Sequence, residues 1–172
     1  YSFDENGQHE EDNGSENMII HGDNLLALKS LLPQYEGLIK CIYIDPPYNT
    51  GEEGWVYNDN VNDPQIKKWL GETVGKQGED LSRHDKWLCM MYPRLRLLQK
   101  LLAEDGVIFI NIGEDEHSNL KLICDEIFSA RNYITDFSRQ MKSGGAKGHY
   151  YTPSLDYILA YAKNINVLPY FR

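Results

Sequence analysis

Cysteine is scarce in this chain. Among 172 residues there are three, Cys41, Cys89 and Cys124, odd in number and far apart. No C-x-x-C spacing occurs, which excludes a disulfide framework and a zinc ribbon and leaves buried free thiols in a reducing compartment as the expectation. Positive charge is also short. Seventeen Lys and Arg face 26 Asp and Glu, for a net charge of -9. A protein whose main task is to grip a phosphate backbone through a basic face would carry the opposite balance. Apolar runs of membrane-spanning length are missing, as is a signal peptide, so a soluble, cytoplasmic protein is expected. The P-loop pattern G-x-x-x-x-G-K-[ST] is absent as well.

What is present centres on Ile39 to Gly51. The run Ile39-Lys40-Cys41-Ile42-Tyr43-Ile44 is short, β-branched and closed by proline, which predicts a buried strand of a parallel sheet. Pro46 and Pro47 lack an N–H and fix φ, so the ladder must stop at Asp45. A carboxylate, two stiff carbonyl-bearing residues and the Tyr48 ring are thereby held at the C-terminal end of a central strand. Open α/β sheets bind their ligands along that edge.

Asp45-Pro46-Pro47-Tyr48 in this setting resembles the catalytic motif of amino-group DNA methyltransferases. The chemistry accounts for the residue types. The exocyclic amine of adenine is a poor nucleophile, because its lone pair is delocalised into the ring. Two acceptors facing its N–H bonds favour the pyramidal form in which that lone pair is free. Asp45 Oδ and the Pro46 carbonyl can supply them, as preorganised stabilisation of charge that appears only in the transition state. Tyr48 can stack on a base flipped out of a duplex.

The rest of the chain reads as alternating β and α elements. Residues 1–17 form an acidic lead without periodicity, expected to be flexible. Met18-Ile19-Ile20 predicts a strand, and Gly22-Asp23 a break and a helix cap. Leu25, Leu28, Leu31 and Leu32 predict a helix ending near Pro33 and Gly37. Neighbouring strands would place Asp23 and Asp45 on one sheet edge. Residues 49–80 form a long polar insertion, either a solvated flap or a loop that contacts DNA. Trp87, Met90, Met91, Leu95, Leu98, Leu101 and Leu102 mark a helix, with Pro93 expected to kink or divide it. His84, near its start, is read as a capping or surface residue.

A second apolar strand follows, Gly106 to Gly113, then a helix opened by Glu114-Asp115-Glu116-His117. Those acids suit the helix dipole, and no metal site is expected there. Tyr133 to Met141 and Leu155 to Lys163 predict two strands joined without a helix, hence antiparallel neighbours. The loop between them carries Lys142 and Lys147 beside Tyr150 and Tyr151, a combination suited to nucleic acid.

Taken together, several stretches resemble the β-class adenine-N6 DNA methyltransferases, most of all the Mod subunits of Type III restriction–modification systems. They are His21-Gly22-Asp23-Asn24, Tyr43 to Gly51, Val56-Tyr57-Asn58-Asp59, Met91-Tyr92-Pro93-Arg94-Leu95, Val107 to Ile110 and Asp156 to Lys163. The resemblance covers residues 18–172. It implies a three-layer, Rossmann-like class I methyltransferase fold of the circularly permuted class, with a mostly parallel sheet and a terminal antiparallel pair. It implies S-adenosyl-L-methionine as cofactor, with Asp23 and Asp45 toward it. Asp45, Pro46, Pro47 and Tyr48 would be catalytic, and Tyr48, Asn49, Lys142 and Lys147 would lie on the substrate side. The implied partners are double-stranded DNA with a flipped adenine, a restriction (Res) subunit and a second Mod copy, in a bacterial cytoplasm.

One departure stands out. The family's Phe-x-Gly-x-Gly loop, which cradles the methionine part of the cofactor, occurs nowhere in the chain. With that loop and the target-recognition domain absent, residues 18–172 read as a partial catalytic domain, and the chain alone is expected to methylate nothing. Two alternatives stay open: an amino methyltransferase acting on cytosine N4 or protein glutamine, and a catalytically inactive DNA-docking or assembly module. Asp45 favours adenine, since the glutamine enzymes carry Asn there and the cytosine N4 enzymes usually Ser.

Overall fold

The structure, a computed structural model, describes residues 2–4, 7–9, 17–50, 83–140 and 154–170. Ser2–Asp4 (β1) and Gly7–His9 (β2) pair antiparallel as a small sheet of their own. The main sheet has the order β3-β4-β6-β5, formed by Ile39–Ile44 (β3), Leu102–Ile112 (β4), Tyr133–Gln140 (β5) and Leu155–Ala162 (β6). Among the described residues three α-helices accompany it: Asn24–Tyr35 (α1), Arg83–Leu101 (α2) and Glu114–Cys124 (α3). α1 packs on α2, α2 on α3, and α3 on β6. No helix among the described residues is long and apolar enough to cross a membrane.

Local chemistry explains the boundaries. The Asp23 side chain accepts from the Leu26 N–H at 2.9 Å, which caps α1. Gly37, at φ +70°, takes the left-handed conformation that ends the helix, and its N–H reaches the Lys100 carbonyl at 2.9 Å. α1 runs on past Pro33 to Tyr35. α2 likewise continues through Pro93 without a break, and the Arg94 guanidinium donates to the Met90 carbonyl beside the proline at 2.7 Å. The α2 stripe of Trp87, Met91, Leu95 and Leu98 meets Ile108, Ile110 and Ile112 of β4, Leu120 and Ile123 of α3, and Leu159 and Tyr161 of β6 in one buried core. β4 starts at Leu102, earlier than the sequence suggests. Leu102 pairs with Ile39, the ladder then bulges, and pairing resumes at Cys41–Val107. Gly106 makes this possible: a Cβ there would lie 2.8 Å from the Ile39 carbonyl and 2.9 Å from that of Ala103.

Four expectations change. β3, expected as a buried central strand, stands at the edge of the described sheet with none of its residues buried, because no described strand flanks its outer side. The sheet is mixed rather than mostly parallel. β3 and β4 are its parallel pair, while β6 inserts between β4 and β5 and makes an antiparallel junction with each. Met18-Ile19-Ile20 is not a strand, and these residues are exposed, with Ile19 at 85%. They have the right composition, but no described strand pairs with them. The cysteines also divide: Cys89 and Cys124 are buried, whereas Cys41 is exposed on β3 at the edge of the sheet. Burial raises both interior thiols, Cys89 to about 11 and Cys124 further.

Candidate active site

β3 ends at Ile44, and Asp45 follows at the C-terminal edge of the sheet, as the proline signal requires. The Asp45 side is exposed, and among the described residues nothing donates to its carboxylate or to the Pro46 carbonyl. Each neighbouring group, by contrast, is tied down. The indole N–H of Trp87, itself fully buried, donates to the Pro47 carbonyl at 2.7 Å. The Pro46 carbonyl therefore stays available while the next one is consumed by the scaffold.

Tyr48 is held from two sides. Its hydroxyl lies 3.4 Å from Asp156 Oδ2, a long contact. Asp156 is 1% exposed and is gripped by Arg139, whose Nε donates at 2.9 Å and whose Nη2 bonds the second oxygen. That guanidinium holds the Asp156 carboxyl below the usual carboxylate range. Burial, with Asp45 and Asp156 nearby, pushes the Tyr48 phenol up to about 12, so it keeps its proton at neutral pH. On the other side the ring lies over Gly113, where a Cβ would stand 3.0 Å from Tyr48 Cδ2.

Asn49 adopts a left-handed conformation (φ +59°) and is 4% exposed. Its amide donates to Glu116 Oε1 and, at 3.3 Å, to the Arg83 carbonyl. Glu116 is fully buried. His84 Nδ1 lies 2.8 Å from the same Oε1, and Asn119 donates to Oε2 at 2.7 Å. The second acid of interest, Asp23, is not at the end of a strand. It caps α1, and the next residue, Asn24, is held by Arg94 Nε at 2.8 Å.

Two hollows meet at Asp45, Pro46 and Pro47. One, of about 330 Å³, is mostly apolar, with Asn24 and Arg94 among Leu28, Met90, Met91 and Leu98 in its wall. The other, of about 370 Å³, opens beside Tyr48. One residue beyond the Ile44–Ile110 pair lies Asn111, 2% exposed, whose Oδ1 has no hydrogen-bond partner among the described residues.

The structure thus brings Asp45, Pro46, Pro47, Tyr48 and Asn49 together, and it puts Asp23 next to a residue lining the apolar hollow. Lys142 and Lys147 and nearly all of the 49–80 insertion lie outside the described residues. Trp87, Gly113, Glu116, Arg139 and Asp156 were not singled out from sequence as site residues. Their roles come from contacts between distant parts of the chain. The one signal that could have suggested Glu116 is its place in an acidic first turn, where capping was explanation enough.

A family model described as DNA methylase matches residues 39–170. The Type III restriction–modification enzyme EcoPI Mod subunit of Escherichia phage P1 is 39% identical over 170 residues, covering 93% of this chain and 26% of that protein. The EcoP15I Mod subunit of Escherichia coli is 39% identical over 166 residues, 91% of this chain and 26% of that protein. The chain therefore spans about a quarter of the length of the curated relatives it matches. In fold it is similar to the PvuII DNA methyltransferase (cytosine-N4-specific), with a TM-score of 0.54 at 14% identity, over 86% of this chain and 49% of that one.

Proposed function

The chain belongs to the DNA methylase family, and from that premise we propose that it is the catalytic part of an S-adenosylmethionine-dependent enzyme that methylates adenine N6 in DNA. Its setting is the modification subunit of a Type III restriction–modification system, with a restriction subunit and a second modification subunit as partners. The observation that carries this reading is a pair of acceptors, Asp45 Oδ and the Pro46 carbonyl, to which no described residue donates and which stand where two hollows meet.

The residues present fit the cofactor. The apolar hollow between α1, α2 and the end of β3 suits a flat purine, with Asn24 and Asp45 at hand for its polar edge. Asp23 and Asp45 are assigned to this side. When bound, S-adenosylmethionine supplies an electrophilic methyl group on a sulfonium centre. Asp45 and Pro46 receive the two N–H bonds of the adenine amine and favour the geometry in which its lone pair is available. Tyr48 offers a ring face to the flipped base, while its other face packs over Gly113. Once nitrogen has gained the methyl group, its proton is acidic, and Asp45 can take it without being a strong base. Lys142 and Lys147 are assigned to the substrate side; Asn49, expected there from sequence, is instead 4% exposed with its amide committed to Glu116 and the Arg83 carbonyl.

The test is transfer of labelled methyl groups to DNA by the protein carrying this chain, with Asp45→Ala alongside and the DNA digested to nucleosides. Label in N6-methyladenine that disappears in the variant is the expected result. Label in N4-methylcytosine or in protein overturns the adenine assignment, and no label at all overturns methyl transfer.

A further inference from the structure

Glu116 places a carboxyl group in a fully buried position, where a polar group is costly unless it is well partnered. Nothing in the chemistry at Asp45 uses it. Its partners come from separated parts of the chain: Asn49 on the catalytic loop, His84 in the first turn of α2, and Asn119 one turn along α3. Asn49 and His84 meet at the same oxygen, Oε1. In sequence they stand at the two ends of the long segment that separates β3 from α2. Asn49 also reaches the carbonyl of Arg83, the residue before His84, at 3.3 Å. A left-handed asparagine costs backbone energy, and it persists where surrounding contacts hold it.

We propose that Glu116 is a positioning residue: through Asn49 and His84 it fixes both ends of the inserted segment against α3 and so sets the register of Pro46, Pro47 and Tyr48. Asn49 is the next residue after Tyr48. Its orientation governs where the Tyr48 ring lands over Gly113 and where the Pro46 carbonyl points. Trp87 on the Pro47 carbonyl is the second fixed point of the same loop, and it lies on the same helix as His84. The catalytic loop is therefore braced by two helices at adjacent positions. A loss of about 1 Å in such placement costs roughly a hundredfold in rate.

The inference rests on the methyl-transfer reading for its kinetic arm, so a second arm reads the structure directly. In the protein carrying this chain, Glu116→Gln, Asn49→Ala and His84→Ala are compared with the parent for single-turnover methyl transfer, S-adenosylmethionine affinity and hydrogen exchange. Asn49→Asp combined with Glu116→Gln exchanges the acceptor and donor of the central bond. We expect E116Q to lower the transfer rate at least tenfold with cofactor Kd within twofold. Amide exchange should rise in the segments around Tyr48-Asn49 and His84-Asp85 together, and the swapped pair should recover at least threefold in rate. Should E116Q fail to fold, the N49A and H84A variants carry the same expectation. An unchanged rate, a joint fall of rate and cofactor affinity, or exchange that rises at one segment alone overturns the proposal. If the parent itself transfers no methyl group, the functional reading falls and the exchange result still decides the role of Glu116.

Discussion

Tyr48 shows how much of this site depends on residues remote in sequence. Its ring has a glycine beneath it, and its hydroxyl faces the buried carboxylate of Asp156, which an exposed Arg139 pairs with. Gly113→Ala puts a methyl group 3.0 Å from the ring, and the ring must give by a few tenths of an ångström. We expect about a tenfold loss of kcat, with about 1 kcal/mol of stability lost; turnover and a melting curve separate the two. The Asp156–Arg139 pair makes a pH prediction. Arg139 depresses the folded-state pKa of Asp156, so the stabilisation is present above the unfolded value and is lost as pH falls through the folded one. Asp156→Asn should therefore lower Tm at pH 7, and the gap from the parent should narrow as pH drops below about 4. None of these partners could be read locally. Gly113 looked like a strand end and Asp156 like one polar position in an apolar strand.

At the level of elements, α2 does two jobs with one helix. Its apolar stripe was legible at helical spacing, because core contacts impose that period on the sequence. The indole hydrogen bond to Pro47 was not, because a tryptophan in such a stripe has burial as a sufficient cause. Trp87→Phe keeps most of the packing and removes the donor. We expect a cost of about 1 kcal/mol in chemical denaturation and a larger relative loss of methyl transfer. The bulge between β3 and β4 is the other element-level feature with a sharp consequence. Both atoms that a Cβ at Gly106 would strike are backbone carbonyls, which cannot swing aside. Gly106→Ala should destabilise by about 1–3 kcal/mol, readable as a shift in denaturation midpoint.

For the molecule as a whole, the β3 run and its proline stop, the α2 helix and the antiparallel β5–β6 pair were all readable, since each is written in a contiguous stretch. Sheet order was not. Nothing local says that β6 inserts beside β4, and that insertion turns an expected parallel sheet into a mixed one. Met18-Ile19-Ile20 illustrates the same limit, because composition proposes a strand but only a neighbour makes one. Charge belongs to this scale too. At -9, the chain gains little from displacing counterions on DNA. The 172-residue chain by itself should leave a labelled duplex at its free mobility in a gel shift at 50 mM salt.

The meeting of Asn49 and His84 on one buried oxygen bears on how such enzymes diversify. If Glu116 acts as proposed, the stretch between these two residues can change in length or composition while its attachment points stay where they are, so the Asp45 carboxylate need not move when it does. Evolution could exchange that stretch as a cassette, and so could an engineer, provided the asparagine, the histidine and the glutamate travel as a set.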